Sequence, residues 1–244
     1  MKVRQGATLF DSWPSSSPRP ELVSDTVRVD TLQGLAALRS RRSAVRRRLS
    51  ARLKRAFDFT AALFAILLLA PAFLAVAAAV ALESRGPIFF RQRRTGLGGR
   101  IFVILKFRTM SVVEDGEVIA HASRNDSRVT RVGAVLRETS LDELPQLINI
   151  LRGDMSFVGP RPHALAHDQY YGALIPSYAD RFAVRPGLTG LAQSRGLRGE
   201  IHQLDCMTRR VAADAEYADS WSFRGDFMIM LDTVPQLVRR VNAY

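Results

Sequence analysis

Cysteine occurs once, at Cys206, so no internal disulfide can hold this chain together, and that usage agrees with a reducing compartment. No apolar stretch opens the sequence. The hydrophobic run begins near residue 56, behind a polar leader and without a small-residue cleavage pattern, so no secretory signal is read. No internal repeat is visible, and 244 residues with 47% hydrophobic content favour one main domain with a sizeable core. Acid is scarce where base is dense. Residues 1–55 hold 13 Lys/Arg against 4 Asp/Glu, or +9, and the remaining 22 against 19 leave only +3 for residues 56–244. The excess forms a tract, Arg39 to Arg55, that abuts the apolar run instead of covering a folded face. That placement argues against nucleic acid and for an anionic lipid membrane as partner.

The apolar run, Phe59 to Leu82, is 24 residues without a charge, long enough to cross a bilayer as a helix. Basic residues flank both ends, however: nine lie in 39–55, and Arg85, Arg91, Arg93, Arg94, Arg100, Lys106 and Arg108 follow, with no acid between Ser84 and Val113. Positive charge on both sides places both ends at the cytoplasmic face. Pro71 divides the run into arms of 12 and 11 residues, each roughly 17 Å at a rise of about 1.5 Å per residue, near half the hydrocarbon thickness. A helix that enters, breaks at Pro71 and returns fits these facts better than a kinked span, although proline occurs in spanning helices too.

Residues 1–38 read as a flexible leader, Pro/Ser-rich at Asp11 to Pro20, with a short helix near Leu32 to Leu38. Residues 39–84 carry the basic tract and membrane element, and 85–244 the catalytic domain. Pro87 to Met110 reads as short strands around Gly96, Gly98 and Gly99, a hairpin turn sooner than a phosphate cradle. Residues 111–128 form a polar surface excursion. A helix follows Pro162, a short strand lies within Val184 to Gln193, and helical periodicity returns over His202 to Tyr217. Asp226 to Arg240, behind Trp221 and Phe223, reads equally as a core helix or as an amphipathic one in the headgroup layer.

The adjacent acids Asp142 and Glu143 stand out. At a helix start they would meet outward N–H groups and the favourable end of the helix dipole, which keeps both ionised for nucleophilic attack and metal binding. Ser140-x-x-Glu143 is also a capping box, with Leu141, Leu144, Leu147, Ile148 and Leu151 as an apolar stripe, so Glu143 has a purely structural reading as well.

Several ordered motifs then combine: the basic tract with its Pro-broken apolar segment, K-F-R-T-M (Lys106 to Met110), L-D-E-L-P-Q, R-G-D-M-S-F-V-G-P-R-P, and R-P-G-L-T-G from Arg185. Together they resemble the bacterial sugar transferase family, the monotopic phosphoglycosyl transferases, over about residues 50–244. P-R-P-H-A-L-A-H-D (Pro160 to Asp168) and the final N-A-Y are most similar to the undecaprenyl-phosphate glucose phosphotransferases of exopolysaccharide synthesis. The resemblance implies a helix-rich α/β (α+β) membrane-associated catalytic domain with a re-entrant helix-break-helix and interfacial helices, monotopic on the cytoplasmic face of a bacterial inner membrane. It implies transfer of a hexose-1-phosphate, glucose-1-phosphate first, from a UDP-sugar to polyprenyl phosphate, with UMP released and Mg²⁺ required. Asp142 matches the family's nucleophile, Glu143 its Mg²⁺ ligand and Pro71 its membrane break, and Lys106, Arg108, Arg137, Arg161 and Arg185 match basic motif positions suited to phosphate. A homo-oligomer stays open. Lacking the extra N-terminal spans of the longer relatives, the chain is expected to be a minimal catalytic unit.

Leu191-Ala192-Gln193 replaces the family's frequent Trp-Ala-Gln, and S-R-G-L-R-G-E follows it in place of the commoner Val-Asn-Gly, which bears on the choice of sugar. Two other classes compete. His163-x-x-x-His167 beside Asp168 suggests a metal hydrolase, but Ala164 stands where the HExxH glutamate belongs. A non-enzymatic membrane adaptor would need only the basic tract and a helix cap.

Overall fold

The computed structural model describes residues 50–111, 127–197, 199 and 203–238. Ala51–Tyr244 forms one compact unit. The leader with its helix near Leu32 to Leu38, the basic tract up to residue 49 and all but the ends of the 111–128 excursion lie outside the described residues.

The apolar run folds as two helices, α1 (Ser50–Leu68) and α2 (Ala70–Glu83), bent by 65° at Leu69. Pro71 falls in the first turn of α2, where its missing N–H costs least, and the chain repairs the junction with Leu69 N–H to Ala65 O and Phe73 N–H to Leu69 O, both 2.9 Å. Among the described residues no single helix is long and apolar enough to cross a membrane; the bent pair meets that measure only jointly. One side of the pair packs inward through Ala62, Val76 and Val80. Phe64, Leu67, Leu68, Leu74 and Leu82 stay 65 to 87% exposed.

The expected hairpin forms from β1 (Phe89–Thr95) and β2 (Ile101–Phe107), antiparallel with Phe89 opposite Phe107 and Thr95 opposite Ile101. Gly98 and Gly99 sit at φ +64° and +78° in its turn, a region that side chains disfavour. Phe102, Ile104 and Phe107 of β2 are buried, Phe102 and Ile104 against Ala62, Leu147, Ile150 and Met155, and Phe107 against Val76, Val80 and Leu136.

Helix α3 (Arg131–Thr139) starts at Thr130, whose hydroxyl accepts the Gly133 N–H. It ends at Ser140, the one non-glycine residue at positive φ (+58°) among those described. A single 3₁₀ turn, Leu141–Glu143, then leads through Pro145 into α4 (Gln146–Arg152). Beyond it, β3 (Ser156–Val158) pairs in parallel with β4 (Gly187–Thr189), which brings Gly159-Pro160 beside Pro186-Gly187. Gly187 is required there: a Cβ would lie 2.1 Å from the Gly159 nitrogen. The remaining helices are α5 (Leu165–Leu174), a 3₁₀ segment Tyr178–Ala183, α6 (Leu191–Ser194), α7 (Leu204–Ser220) and α8 (Phe223–Val238). Phe223, Phe227, Met228 and Leu231 of α8 are exposed while Ile229 is buried against Val158 and Tyr217, so α8 serves the core with one side and leaves a second apolar side uncovered.

Candidate active site

Asp142 and Glu143 lie on the 3₁₀ turn, not at a helix N-terminus, and Ser140 caps no N–H with its side chain. This corrects both the dipole argument and the capping box. Ser140 is left-handed and closes α3, so its hydroxyl cannot serve the next element, and Glu143 turns to two cations from distant parts of the chain. Lys106 Nζ lies 2.8 Å from Glu143 Oε1 and 3.7 Å from Asp142 Oδ2, and Arg161 Nη2 reaches Glu143 Oε1 at 2.6 Å with Nη1 at 3.4 Å from Oε2. Burial opposes ionisation of Glu143, but Arg161 and Lys106 outweigh it and hold the carboxyl well below the usual carboxylate range.

Asp142 is 8% exposed, and among the described residues no hydrogen bond reaches its carboxylate. Burial pushes its pKa up; Lys106, Arg161 and Arg137 pull it down and Glu143 adds to the rise. The two acids are thus set apart: Glu143 is doubly held by cations and favoured in its charged form, and Asp142 is a poorly solvated carboxyl beside an ammonium.

Of the expected phosphate ligands, Lys106 and Arg161 come to the acids. Arg137, in the last turn of α3, contributes its charge to Asp142 and lies 4.0 Å from Met110 Sδ. Arg108 does not join them. It is 5% exposed and donates to Ser84 O at 2.7 Å, Ser84 Oγ at 2.9 Å and Arg85 O at 3.1 Å, closing the C-terminus of α2. Arg185 Nε donates to Gly153 O at 3.0 Å, where α4 ends. The reason is common to both: carbonyls at and just past a helix end lack intrahelical donors, and a guanidinium can supply them.

Sequence reasoning missed the supports. Asn149 is fully buried, accepts Leu105 N–H at 2.9 Å and donates to Val103 O at 2.7 Å, fixing α4 on the free edge of β2 one residue before Lys106. Arg55 of α1 donates to Ile150 O and Leu151 O, and Asp58 of α1 accepts from Ser156 Oγ at 3.1 Å and Phe157 N–H at 3.2 Å. Lys54 pairs with Asp226 of α8, which also takes Tyr217 OH at 2.8 Å and Trp221 Nε1 at 3.0 Å. The available signal was polar residues at helical spacing inside apolar stretches.

The metal-hydrolase reading fails. His163 precedes α5, its Nδ1 meets Tyr178 OH and Arg181, and burial followed by the Arg181 charge keeps it neutral far below its ordinary range. Among the described residues no group of three or more His, Cys, Asp or Glu is placed to hold a metal. Arg181, 3% exposed, instead joins Asp214 at 2.9 Å and the Arg161 carbonyl, bracing the Arg161 backbone from behind.

Two adjacent carboxylates are thus braced by a lysine and an arginine, a grouping with the charges that phosphoryl chemistry uses. Residues 49–240 match the family described as Bacterial sugar transferase, and the chain belongs to that family. Over 191 residues it is 58% identical to the "UDP-glucose:undecaprenyl-phosphate glucose-1-phosphate transferase" of Caulobacter vibrioides, covering 78% of this chain and 72% of that one. It is 50% identical to the protein of the same name from Escherichia coli, over 75% of this chain but only 39% of that protein. The "Exopolysaccharide production protein PSS" of Rhizobium leguminosarum is 46% identical over 79% of this chain and 98% of its own length. The chain is an enzyme of the transferase class.

Proposed function

We propose that this chain moves glucose-1-phosphate from UDP-glucose to undecaprenyl phosphate through a covalent aspartyl sugar-phosphate on Asp142, as the first membrane step of exopolysaccharide synthesis. The observation that carries the reading is the Lys106 bridge, 3.7 Å from a buried Asp142 and 2.8 Å from Glu143, which itself is clamped by Arg161. The names of the Caulobacter and Escherichia relatives support glucose and the lipid acceptor, and that of the Rhizobium relative supports exopolysaccharide synthesis.

An Asp142 oxygen attacks the β-phosphorus, and the bond from that phosphorus to the bridging oxygen breaks, so that UMP leaves with the oxygen. Undecaprenyl phosphate then attacks the same phosphorus through one of its own oxygens; the bond to Asp142 breaks, the carboxylate is restored, and the sugar stays on a lipid diphosphate. Lys106 opposes the rise that burial gives the Asp142 pKa and offsets charge gathering on the phosphoryl oxygens. Arg161 holds Glu143 in place and presents its remaining N–H groups to the donor diphosphate.

Mg²⁺ fits this donor set. It is bound through one or two carboxylates together with substrate phosphates and water, and Glu143 Oε2 carries only the 3.4 Å contact while Asp142 carries no hydrogen bond among the described residues. Glu143, with Asp142 beside it, would hold the ion, which would neutralise charge on the diphosphate.

The exposed apolar side of α1 and α2, their 65° bend and the basic flanks support insertion as a re-entrant hairpin, monotopic, from the cytoplasmic face of a bacterial inner membrane. The uncovered side of α8 suits the headgroup layer. The test uses detergent-solubilised full chain with Mg²⁺ and undecaprenyl phosphate, offered UDP-glucose, UDP-galactose and UDP-N-acetylated sugars. UMP release with UDP-glucose and a sugar-phosphate adduct on Asp142 by mass spectrometry are expected. Galactose or an N-acetylated sugar as the best donor overturns the glucose assignment alone; a ternary-complex rate law without adduct overturns the covalent route.

A further inference from the structure

Gln146 is 2% exposed, and its side-chain amide nitrogen has no hydrogen-bond partner among the described residues. A buried amide without a partner is uncommon, because removing the group from water has a cost that nothing returns. Its place is informative. Leu144 (φ −50°, ψ −39°) and Pro145 (φ −62°, ψ −15°) are helical, so the backbone follows one helical path from the 3₁₀ turn into α4, and residues three and four apart share a side. Asn149, three residues after Gln146, faces the free edge of β2 by bonding Leu105 and Val103. Asp142, four residues before it, meets Lys106 from the next position along that strand. Gln146 therefore stands between them, on the side of the helix that presents the nucleophile.

We propose that Gln146 is a substrate-binding residue of the active centre, donating its amide N–H to a non-bridging oxygen of the phosphoryl group that Asp142 attacks. This rests on the transfer reaction proposed above. A neutral donor suits the position. Lys106 and Arg161 already pair with the two carboxylates and Arg137 adds its charge to Asp142, so a further cation there would hold Asp142 in an ion pair instead of leaving it open to phosphorus, whereas an amide adds a directional hydrogen bond without net charge. The unmet donor is then completed only when the donor sugar is bound.

Gln146→Met preserves length and removes the donor. A buried polar group replaced by an apolar one of similar shape is neutral or stabilising when the group had no partner, so a packing role and a substrate role separate cleanly. With UDP-glucose, undecaprenyl phosphate and Mg²⁺, the expected result is kcat about 100-fold lower, the usual cost of one donor to a reacting oxygen. KM should move less than about threefold, because the bond strengthens as phosphorus is attacked. The thermal midpoint should be unchanged or higher. Turnover within about twofold of wild type overturns the proposal, as does a loss of turnover accompanied by a lower midpoint. Gln146→Glu, which keeps the shape but offers only acceptor oxygens, should be at least as impaired, and a near-normal rate in it is equally adverse. Asp142→Asn run alongside keeps the two claims apart: wild-type turnover in that protein removes the covalent reading whatever Gln146 does.

Discussion

Arg161 grips Glu143 through both terminal nitrogens, at 2.6 and 3.4 Å, while its own main-chain carbonyl is held by the buried Arg181. Glu143 is thereby fixed from one side by a braced guanidinium and from the other by Lys106, and the freedom left in the acid pair belongs to Asp142.

Asp142→Asn should reduce UMP release about a thousandfold or more, since the amide is a poor nucleophile. The same change should raise thermal stability at pH 7. Burial sets the folded-state pKa of Asp142 above its unfolded value, so the ionised group disfavours the fold at high pH, and that penalty fades as pH falls through the folded and then the unfolded value. Melting curves of both proteins at pH 7 and pH 4 check this: the gain should be present at the first and small at the second.

Lys106→Met removes a charge that lowers the pKa of Asp142, so the acid limb of kcat/KM should move to higher pH. Glu143 keeps Arg161 and stays ionised. The variant should be impaired about 10- to 100-fold at neutral pH, in the range of a lost electrostatic contact, with part of the loss recovered under alkaline conditions. A profile of unchanged shape would show that Lys106 does not control the nucleophile.

Arg108→Met tests a helix-end role against phosphate binding. The Ser84 and Arg85 carbonyls would lose their donor, at a cost of about 2–3 kcal/mol in unfolding free energy. KM for the donor sugar should be unchanged in protein that remains folded. A raised KM with normal stability would return Arg108 to the substrate.

Asn149→Leu should lower the thermal midpoint, because Leu105 N–H would be left buried without this partner, at about 1–3 kcal/mol, and Val103 C=O would lose its donor. Calorimetry reads this directly, and residual turnover should fall as Lys106 loses its register against the acids.

The sequence was most legible where its signals are local. The Pro-broken apolar run, the hairpin around Gly98 and Gly99, and the helices near 165–174 and 204–220 rest on periodicity, turn chemistry and charge placement, and all are present. The acid pair stood out in the sequence, but its geometry was misread. Ser140-x-x-Glu143 has the spacing of a helix cap, but Glu143 answers to Lys106 and Arg161, 37 and 18 residues away, and no local pattern encodes that competition. Arg108 shows the same limit from the other side: it stands in a motif with Lys106, yet β2 ends at Phe107 and the chain carries it to the end of α2. Gln146 and Asn149 lie outside the apolar stripe of α4 and are nevertheless buried, Asn149 by bonding the edge of β2.

Arg55 and Asp58 sit one turn apart on α1 and fasten to either side of the loop that follows the acid-bearing segment. These bonds tie the acid-bearing segment to the bent helix pair. With the pair inserted as proposed above, a tilt imposed on it by a thinner or thicker bilayer would be passed toward Asp142, so vesicles of graded acyl length should change the working rate well before they affect whether the protein stays folded.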